Sequence, residues 1–265
     1  MYRSAARTAH NFATQQLTIL SRTPFISAPR LTSQAKSTMS TTALARLEQY
    51  TACDISDALL KLKVPGAGFI ADLTLYSARA GKDADAPTIA PVSTILFAAK
   101  GEEVLTSPPP NMPKDTHWAD ATEPGTVVVM QQPPGQTNAI CGGIMALRMK
   151  VRDVRGIIVA GRVRDVRELQ STKLPILAHG LSTVGSAGSS IPWARQVPLE
   201  INGVTVSPGD IAFQDPVNGV VMIPREKLDQ VLDMLPKLVA ADDKVKDDVL
   251  KGMSVYEAFK LHRET

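Results

Sequence analysis

The stretch GTVVVMQQPPGQTNAICGGIMALRMKVRDVRGIIVAGRVRDVRELQSTKLPILAHG, residues 125–180, decides the fold. Its three short apolar runs, GTVVVMQQ, GIIVAG and LPILAHG, are rich in β-branched residues and predict buried strands. Between them, residues 144–151 have helical spacing and residues 164–170 begin a second helix, while PPGQTNAICGG is predicted to be a loop. Alternating strands and helices predict parallel strands joined by right-handed helical crossovers, and with them an α/β fold.

The sequence before this stretch extends the same prediction. Residues 41–62 have the apolar spacing of helices, with Ser56 or Asp57 as the predicted N-cap of the second one. A strand is predicted within residues 89–99 because β-branched residues are frequent there. Ser107–Pro113 contains four prolines in seven residues, so it is predicted to be a loop.

The C-terminal part predicts hairpins followed by helix. VPLEINGVTVSPGDIAF (residues 197–213) and NGVVMIP (218–224) are apolar runs broken by the turn signals Asn202-Gly203 and Pro208-Gly209-Asp210. Residues 224–261 have helical spacing, with a break at Gly252.

Composition excludes several classes of protein. Hydrophobic residues make up 44% and charged residues 21% of the 265-residue chain, which indicates a globular protein. No stretch approaches about 18 consecutive apolar residues, so neither a transmembrane helix nor a membrane partner is predicted. Aromatic residues are only 5%, which is poor material for stacking on nucleic-acid bases. Two cysteines are too few for a disulfide framework or a Cys-only zinc site.

Charge divides the chain into a basic leader and a mildly acidic body. Residues 1–47 contain six Lys and Arg and no Asp or Glu, whereas the remainder has 23 basic and 26 acidic residues. Such a body is a poor general binder of polyanions, so no nucleic-acid partner is predicted. Residues 1–38 have the composition of a mitochondrial transit peptide, which predicts a matrix protein, with an untargeted tail as the alternative. Initiation at Met39 would give a cytoplasmic form.

Two predicted loops follow the carboxyl ends of strands, the edge where open α/β sheets bind ligands. The first loop ends in Gly142-Gly143 and runs into a helix at Ile144 and Met145. Glycine lets a ligand approach the backbone closely, and free N–H groups at a helix start favour an anion such as a carboxylate. An ordinary turn is the alternative for this Gly-Gly pair.

The second loop ends in Arg164-Asp165, with Glu168 three residues later on the same predicted helix face. Arg164 offers a fork of donors to a carboxylate or keto oxygen. Carboxylate oxygens suit Mg²⁺, so Asp165 and Glu168 are candidate ligands. A solvated helix start, with acids complementing the helix dipole, is the alternative.

The spacing Gly143, twenty residues, Arg164-Asp165, two residues, Glu168 resembles the Gly-x20-Arg-Asp-x2-Glu signature of the RraA-like family. That family includes class II 4-hydroxy-4-methyl-2-oxoglutarate (HMG) aldolases. TACDISDALL at residues 51–60 resembles its N-terminal helix, and VSPGDIAFQDPVNGVVMIP at residues 206–224 resembles its C-terminal strands. The resemblance covers roughly residues 45–225.

The resemblance implies a compact β/β/α sandwich of the swivelling-domain type, formed by residues 39–265 as one catalytic domain with a C-terminal helix. It also implies a homotrimer or homohexamer with sites near subunit interfaces. The loop Gly142–Met145 would bind the substrate carboxylate, Arg164 would contact the substrate and its developing enolate, and Asp165 would hold Mg²⁺ or another divalent cation such as Mn²⁺. Bacterial aldolases of the family carry an Asp where Gly143 stands, and Glu168 would replace that carboxylate, as in the fungal-type variant.

The activity so implied is a metal-dependent carbon–carbon lyase acting on small 2-oxo acids. Retro-aldol cleavage of HMG and decarboxylation of oxaloacetate would both pass through pyruvate enolate. Three alternatives stay open: a non-catalytic RraA-type regulator that binds an endonuclease, a methyltransferase, and catalysis by a Cys141 nucleophile. The absence of G-x-G-x-x-G disfavours the methyltransferase, and the absence of a neighbouring histidine disfavours Cys141. His117 and His179 are predicted to be structural.

Overall fold

The computed structural model describes residues 42–81, 84–101 and 108–263. The predicted leader, residues 1–38, and the alternative start at Met39 lie outside these ranges. Among the described helices, none combines the length and the apolar character needed to cross a bilayer.

Twelve strands and several helices lie within the described residues. The strands are β1 (Phe69–Ile70), β2 (Thr74–Ser77), β3 (Thr88–Ala99), β4 (Val127–Gln131), β5 (Ala139–Cys141), β6 (Gly156–Val163), β7 (Ile176–Leu181), β8 (Ser190–Arg195), β9 (Leu199–Ile201), β10 (Val204–Val206), β11 (Ile211–Asp215) and β12 (Gly219–Ile223). The α-helices are α1 (Ala52–Lys61), α2 (Gly143–Val151), α3 (Val166–Thr172), α4 (Leu228–Leu250) and α5 (Val255–His262). Residues 42–47 are also helical.

Within the described ranges, ten strands form one sheet in the order β1-β12-β11-β3-β4-β6-β7-β2, with β5 beside β6 and β8 beside β3. Strands β3, β4, β6 and β7 run parallel to one another. Helix α2 connects β5 to β6, and α3 connects β6 to β7. The predicted α/β fold with parallel strands and helical crossovers is confirmed.

The central strands are buried on both faces, which explains their continuous apolar runs. In β4, Val127 and Val129 pack into one cluster with the β9-β10 hairpin. Val128 and Met130 point to the opposite face, where they pack with residues of α2 and α3. This alternation is the two-residue period of a strand, and it fixes the register that places the loops after β5, β6 and β7.

Helix α1 begins earlier than the sequence predicted. Thr51 is its N-cap, and Thr51 and Asp54 form a reciprocal capping box, in which the Thr51 side chain accepts from the Asp54 N–H and Asp54 accepts from the Thr51 N–H. The prediction of Ser56 or Asp57 as N-cap is therefore wrong, because Thr-x-x-Asp supplies a complete cap upstream. Ser56 instead donates to the Ala67 carbonyl at 3.3 Å.

The strands β1, β2, β5 and β8 were not predicted from the sequence. The strand β5 lies inside the segment PPGQTNAICGG that was predicted to be a loop, because Ala139–Cys141 pairs with the far end of β6. The predicted proline-rich loop is confirmed where it is described, since residues 108–113 form neither helix nor strand. The break at Gly252 is also confirmed, as this residue has φ 95° between α4 and α5.

Candidate functional site

The candidate site lies where β5, β6 and β7 end, at one edge of the sheet. The Arg164 N–H donates to the Cys141 carbonyl at 3.0 Å, which ties the end of β6 to the end of β5. The Ser182 N–H donates to the Val163 carbonyl at 3.0 Å, which ties the loop after β7 to β6. Three loops are thus held side by side, as expected at the carboxyl edge of parallel strands.

The start of α2 offers backbone donors to this edge. Gly142 is its N-cap in an extended conformation, with φ −137° and ψ −173°, and as a glycine it supplies no side chain to cap the helix. Helix starts leave their first N–H groups without partners inside the helix. Gly143 N lies 3.4 Å from Asp165 Oδ2, while the N–H groups of Ile144 and Met145 follow along the same turn. This arrangement suits an anion of the size of a carboxylate.

Asp165 is the residue before α3 rather than part of it, which corrects the prediction that it shares a helix face with Glu168. Its backbone is left-handed, with φ 61° and ψ 47°. Its carbonyl accepts from the Glu168 and Leu169 N–H groups at 2.8 and 3.0 Å and so opens the helix. The left-handed turn directs the carboxylate toward Gly142, where a Cβ would lie 2.8 Å from Asp165 Oδ2.

Glu168 lies over Gly143. A Cβ built on Gly143 would overlap Glu168 Oε2 and Cβ and would lie 2.8 Å from its Cδ. The two carboxylates, Asp165 and Glu168, therefore cover adjacent residues of the Gly142-Gly143 loop. The sequence motif predicted that Gly143, Asp165 and Glu168 belong to one site, and in the structure they are close in space.

Arg164 lies between the second and third loops. Its Nε is 3.4 Å from Asp165 Oδ2, and its side chain is 44% exposed. On the other side, a Cβ on Gly185 would lie 3.1 Å from Arg164 Nη1. The guanidinium therefore packs against the backbone of Gly185, which has no side chain, and its terminal N–H donors are available to a ligand. Gly185 was missed by sequence reasoning, although a Gly- and Ser-rich loop after the third strand was a signal for it.

The donor set fits a hard divalent cation that keeps part of its water shell. Among the described residues, no group of three or more His, Cys, Asp and Glu side chains is gathered to hold a metal. Mg²⁺ in enzymes is commonly held by one or two carboxylates, with water and substrate oxygens as the other ligands. Asp165 and Glu168, over the same loop, supply two such carboxylates.

The other titratable candidates differ in their surroundings, and the buried Nε2 of His179 has no hydrogen-bond partner among the described residues. His117 is exposed, and its Nδ1 accepts from the Ala119 N–H at 3.2 Å, which caps a short 3-10 helix. His179 lies within β7. Burial and, secondarily, the charge of Asp165 raise the pKa of the Cys141 thiol to about 12. A thiol with this pKa remains protonated at neutral pH, which argues against Cys141 as a nucleophile.

The acids of the C-terminal motif hold the fold together. Asp210 accepts from the Ser207 and Arg225 N–H groups at 2.7 and 3.0 Å. Asp215 accepts from the Ala52 N–H at 3.1 Å and so attaches the start of α1 to the sheet. Neither carboxylate belongs to the candidate site, and the resemblance of this motif reflects architecture.

Known proteins show the same family and fold. The family model described as "RraA-like: Aldolase/RraA" matches residues 52–222. Protein DlpA of Legionella pneumophila is 29% identical over 143 residues, which cover 54% of this chain and 23% of DlpA. A putative 4-hydroxy-4-methyl-2-oxoglutarate aldolase of Halalkalibacterium halodurans is 31% identical over 120 residues, which cover 45% of this chain and 56% of the aldolase. The matches thus span less than two thirds of the length of these relatives.

A solved structure gives the same fold. Streptomyces coelicolor RraAS2, described as an unusual member of the RNase ES inhibitor RraA protein family, superposes with a TM-score of 0.61 at 22% identity. The superposition covers 80% of this chain and 97% of RraAS2. Because the family model spans well over half of the 265 residues, the chain belongs to the RraA-like family.

Proposed function

We propose that the protein is a lyase, dependent on a divalent cation, that cleaves the C3–C4 bond of small 2-oxo acids and releases pyruvate. The supporting observation is the convergence of Arg164, Asp165 and Glu168 on the Gly142-Gly143 start of α2. The name of the Halalkalibacterium halodurans relative, a putative HMG aldolase, agrees with this chemistry. The proposed substrates are HMG, by retro-aldol cleavage, and oxaloacetate, by decarboxylation.

Groups of the chain have two roles in the proposed reaction: some bind the substrate, and others stabilise the negative charge that develops on it. The N–H groups of Ile144 and Met145 bind the C1 carboxylate of the substrate, beside the Gly143 N–H, which donates to Asp165 Oδ2. Arg164 directs its terminal donors at the C2 oxygen, where negative charge develops as the C3–C4 bond breaks. Asp165 and Glu168 would hold Mg²⁺ or a similar cation, which would supply Lewis-acid polarisation of the 2-oxo group.

One site serves both substrates because both reactions leave the same fragment. Loss of carbon dioxide from oxaloacetate, and loss of a second pyruvate from HMG as its C4 hydroxyl gives up its proton, each leave the enolate of pyruvate. The enolate then takes a proton at C3 to give pyruvate. The groups that stabilise the enolate therefore need not distinguish the leaving parts. Specificity between the substrates is set by the wall around C4, beyond the pyruvyl part.

We propose further that the protein forms homotrimers or homohexamers. Three apolar side chains on α2 are exposed: Ile144 by 73%, Leu147 by 55% and Val151 by 65%. Spaced three and four residues apart, they form one stripe on the helix that begins at the candidate site. Such a stripe is covered in a stable protein by a neighbouring surface, which here would bring a second subunit beside Arg164.

We also propose that residues 1–38 direct the chain to the mitochondrial matrix and that initiation at Met39 gives a cytoplasmic form. The basic residues and the lack of acids in residues 1–47 support this proposal. In this proposal residues 39–265 fold as a single catalytic domain. Imaging of fluorescent fusions that start at Met1 or at Met39 tests the targeting.

The activity is tested by measuring pyruvate release from oxaloacetate and from HMG with the purified full chain. We expect release with Mg²⁺, loss with EDTA and recovery on adding Mg²⁺ back. Arg164→Ala should lower kcat about 100-fold or more. The matched control is Arg167→Ala, which removes an exposed arginine of α3 outside the site.

Two results would contradict the proposal. If the full chain releases no more pyruvate than Mg²⁺ alone, the chain is not this lyase, and the non-catalytic regulator becomes the better explanation. If Arg167→Ala lowers kcat as much as Arg164→Ala does, the loss reflects general surface charge rather than the site.

A further inference from the structure

A cavity lies at the opposite ends of the parallel strands from the candidate site. It has a volume of about 960 Å³, and residues at or just before the starts of four parallel strands line it: Thr88, Gly125, Arg155 and Pro175. Arg155 precedes β6, and Arg164 follows it. At about 3.3 Å for each residue of a strand, the cavity and the candidate site are roughly 25 to 30 Å apart.

Three cations and one acid line this cavity: Arg79, Arg155, Lys173 and Glu48. Among the described residues, none of these three cationic side chains is part of an ion pair. The body of the chain is mildly acidic, with 23 basic and 26 acidic residues after residue 47. The cavity therefore carries more positive charge than the body of the chain as a whole, and this excess favours the binding of an anion.

The chain's own N-terminal segment does not supply that anion. Residues 1–47 contain no Asp or Glu, so the segment that leads into the helix at residues 42–47 carries only positive side-chain charge. Charge complementarity thus requires an occupant from outside this segment.

Aliphatic side chains form a further part of the lining. Leu44, Ile89, Val154 and Leu174 contribute side chains, and prolines and backbone complete the wall. Cavities of roughly 300–1,000 Å³ are the usual sites of small organic ligands, and this one presents polar and apolar surface in nearly equal measure. A lone inorganic ion would leave most of this volume and the apolar wall in contact with water.

We propose that this cavity binds a small organic anion with two or more negative charges and an apolar part, such as a nucleoside diphosphate or a long-chain dicarboxylate. The three cations bind the charged groups, and the aliphatic side chains contact the apolar part. The cavity lies at the amino ends of β6 and β7, whereas the candidate site lies at their carboxyl ends. Binding of the anion in the cavity therefore does not require the candidate site.

The test uses the fluorescent nucleotide N-methylanthraniloyl-ADP and the full chain. We expect a saturable fluorescence change with one probe bound per chain, and displacement by ADP and by octanedioate. Pyrophosphate, which has the charge without the apolar part, should displace the probe more weakly. Arg164→Ala should retain binding, which separates this cavity from the candidate site.

Variants test whether the cations carry the binding. The double variant Arg155→Gln, Lys173→Gln should raise the Kd of the probe about tenfold or more, which corresponds to 1.4 kcal/mol for each factor of ten. The control Arg167→Gln, Lys244→Gln removes an exposed arginine and an exposed lysine elsewhere and should leave Kd unchanged.

The proposal is overturned if neither the probe nor octanedioate, followed by calorimetry at millimolar concentration, binds the wild-type chain. It is also overturned if the double variant, with an unchanged Tm, binds the probe as tightly as the wild type does. Displacement of the probe by pyrophosphate as readily as by ADP would reduce the site to a simple anion site without an apolar subsite.

Discussion

Glu168 fills the space that a side chain at residue 143 would occupy. A Cβ on Gly143 would overlap both Oε2 and Cβ of Glu168, so the two positions cannot both carry a side chain in this backbone. The family resemblance noted in the sequence implies that bacterial aldolases have an Asp at the position of Gly143. The geometry therefore supports an exchange in which α3, rather than α2, delivers the second carboxylate to the same loop.

This exchange predicts the behaviour of a compensating pair of variants. Gly143→Asp alone should be destabilised by about 1–3 kcal/mol, because its Cβ meets the Cβ of Glu168 and not only the flexible end of that side chain. Adding Glu168→Gly removes the overlap and restores the number of carboxylates, so stability and Mg²⁺-dependent pyruvate release should return. Thermal melting and an assay over a range of Mg²⁺ concentrations measure both effects.

Glu168→Gly alone is the control for the pair. It should keep the fold and raise the Mg²⁺ concentration needed for half-maximal activity, since one carboxylate is lost without replacement. The proposed exchange of carboxylates is wrong if Gly143→Asp alone has the melting temperature and the Mg²⁺-dependent activity of the wild type.

Gly185 is expected to control the position of the Arg164 guanidinium. A Cβ at residue 185 would come within 3.1 Å of Arg164 Nη1, which is the movable end of a half-exposed side chain. Gly185→Ala should therefore push the guanidinium aside with little effect on Tm and lower kcat by about tenfold or more. Steady-state kinetics with oxaloacetate and a melting curve separate the two quantities.

Gly188→Ala is a matched control, because a Cβ there would meet only Val184 Cγ1, at 3.3 Å. Equal losses of kcat in the two variants would show that the loop as a whole, and not its contact with Arg164, determines activity.

Cys141 is expected neither to react with thiol reagents in the native chain nor to take part in catalysis. It is buried, and its pKa of about 12 leaves almost no thiolate at neutral pH, whereas Cys53 is exposed. A thiol reagent such as 5,5′-dithiobis(2-nitrobenzoic acid) should therefore modify one cysteine in the native chain and two in the denatured chain. Cys141→Ala should keep kcat within about twofold. Loss of pyruvate release in a folded Cys141→Ala variant would revive the thiol nucleophile.

The sequence was sufficient where burial alone determines structure. The apolar runs of β4, β6 and β7 are buried on both faces, so composition was enough to predict them. The three-residue strand β5 was not predicted, because it has no period to detect and exists only through its pairing with β6. The local sequence pattern likewise predicted the wrong N-cap for α1. Thr51 and Asp54 form a capping box upstream of the predicted residues, so the helix begins there.

The candidate site could be predicted only in part for a related reason. Parallel strands end at a common edge, so the proximity of Gly142-Gly143 to Arg164-Asp165 followed from topology. The left-handed backbone of Asp165 and the contact between Arg164 and Gly185 depend on loop geometry that no spacing encodes. The overlap of Glu168 with Gly143 joins positions 25 residues apart and becomes visible only in three dimensions.

Asp215 is expected to make stability depend on pH. Burial acts to raise its pKa, but hydrogen bonds from the Asn218 side chain and from the N–H groups of Ala52, Val217 and Asn218 outweigh burial and lower it. A carboxylate whose pKa is lower in the folded chain stabilises the fold above its unfolded pKa, and that contribution is lost as pH falls through the folded pKa. Asp215→Asn should therefore destabilise the chain by about 2 kcal/mol at pH 7, with the difference shrinking below pH 4.

Urea unfolding of the two chains between pH 3 and pH 7 measures this difference. Asp210, whose pKa is raised chiefly by burial, is common to both chains, so its opposite pH dependence cancels in the comparison. Asp233→Asn changes an exposed carboxylate of α4 and should leave stability nearly unchanged at every pH. A destabilisation by Asp215→Asn that is the same at pH 3 and pH 7 would show that packing around residue 215, rather than its charge, fastens α1 to the sheet.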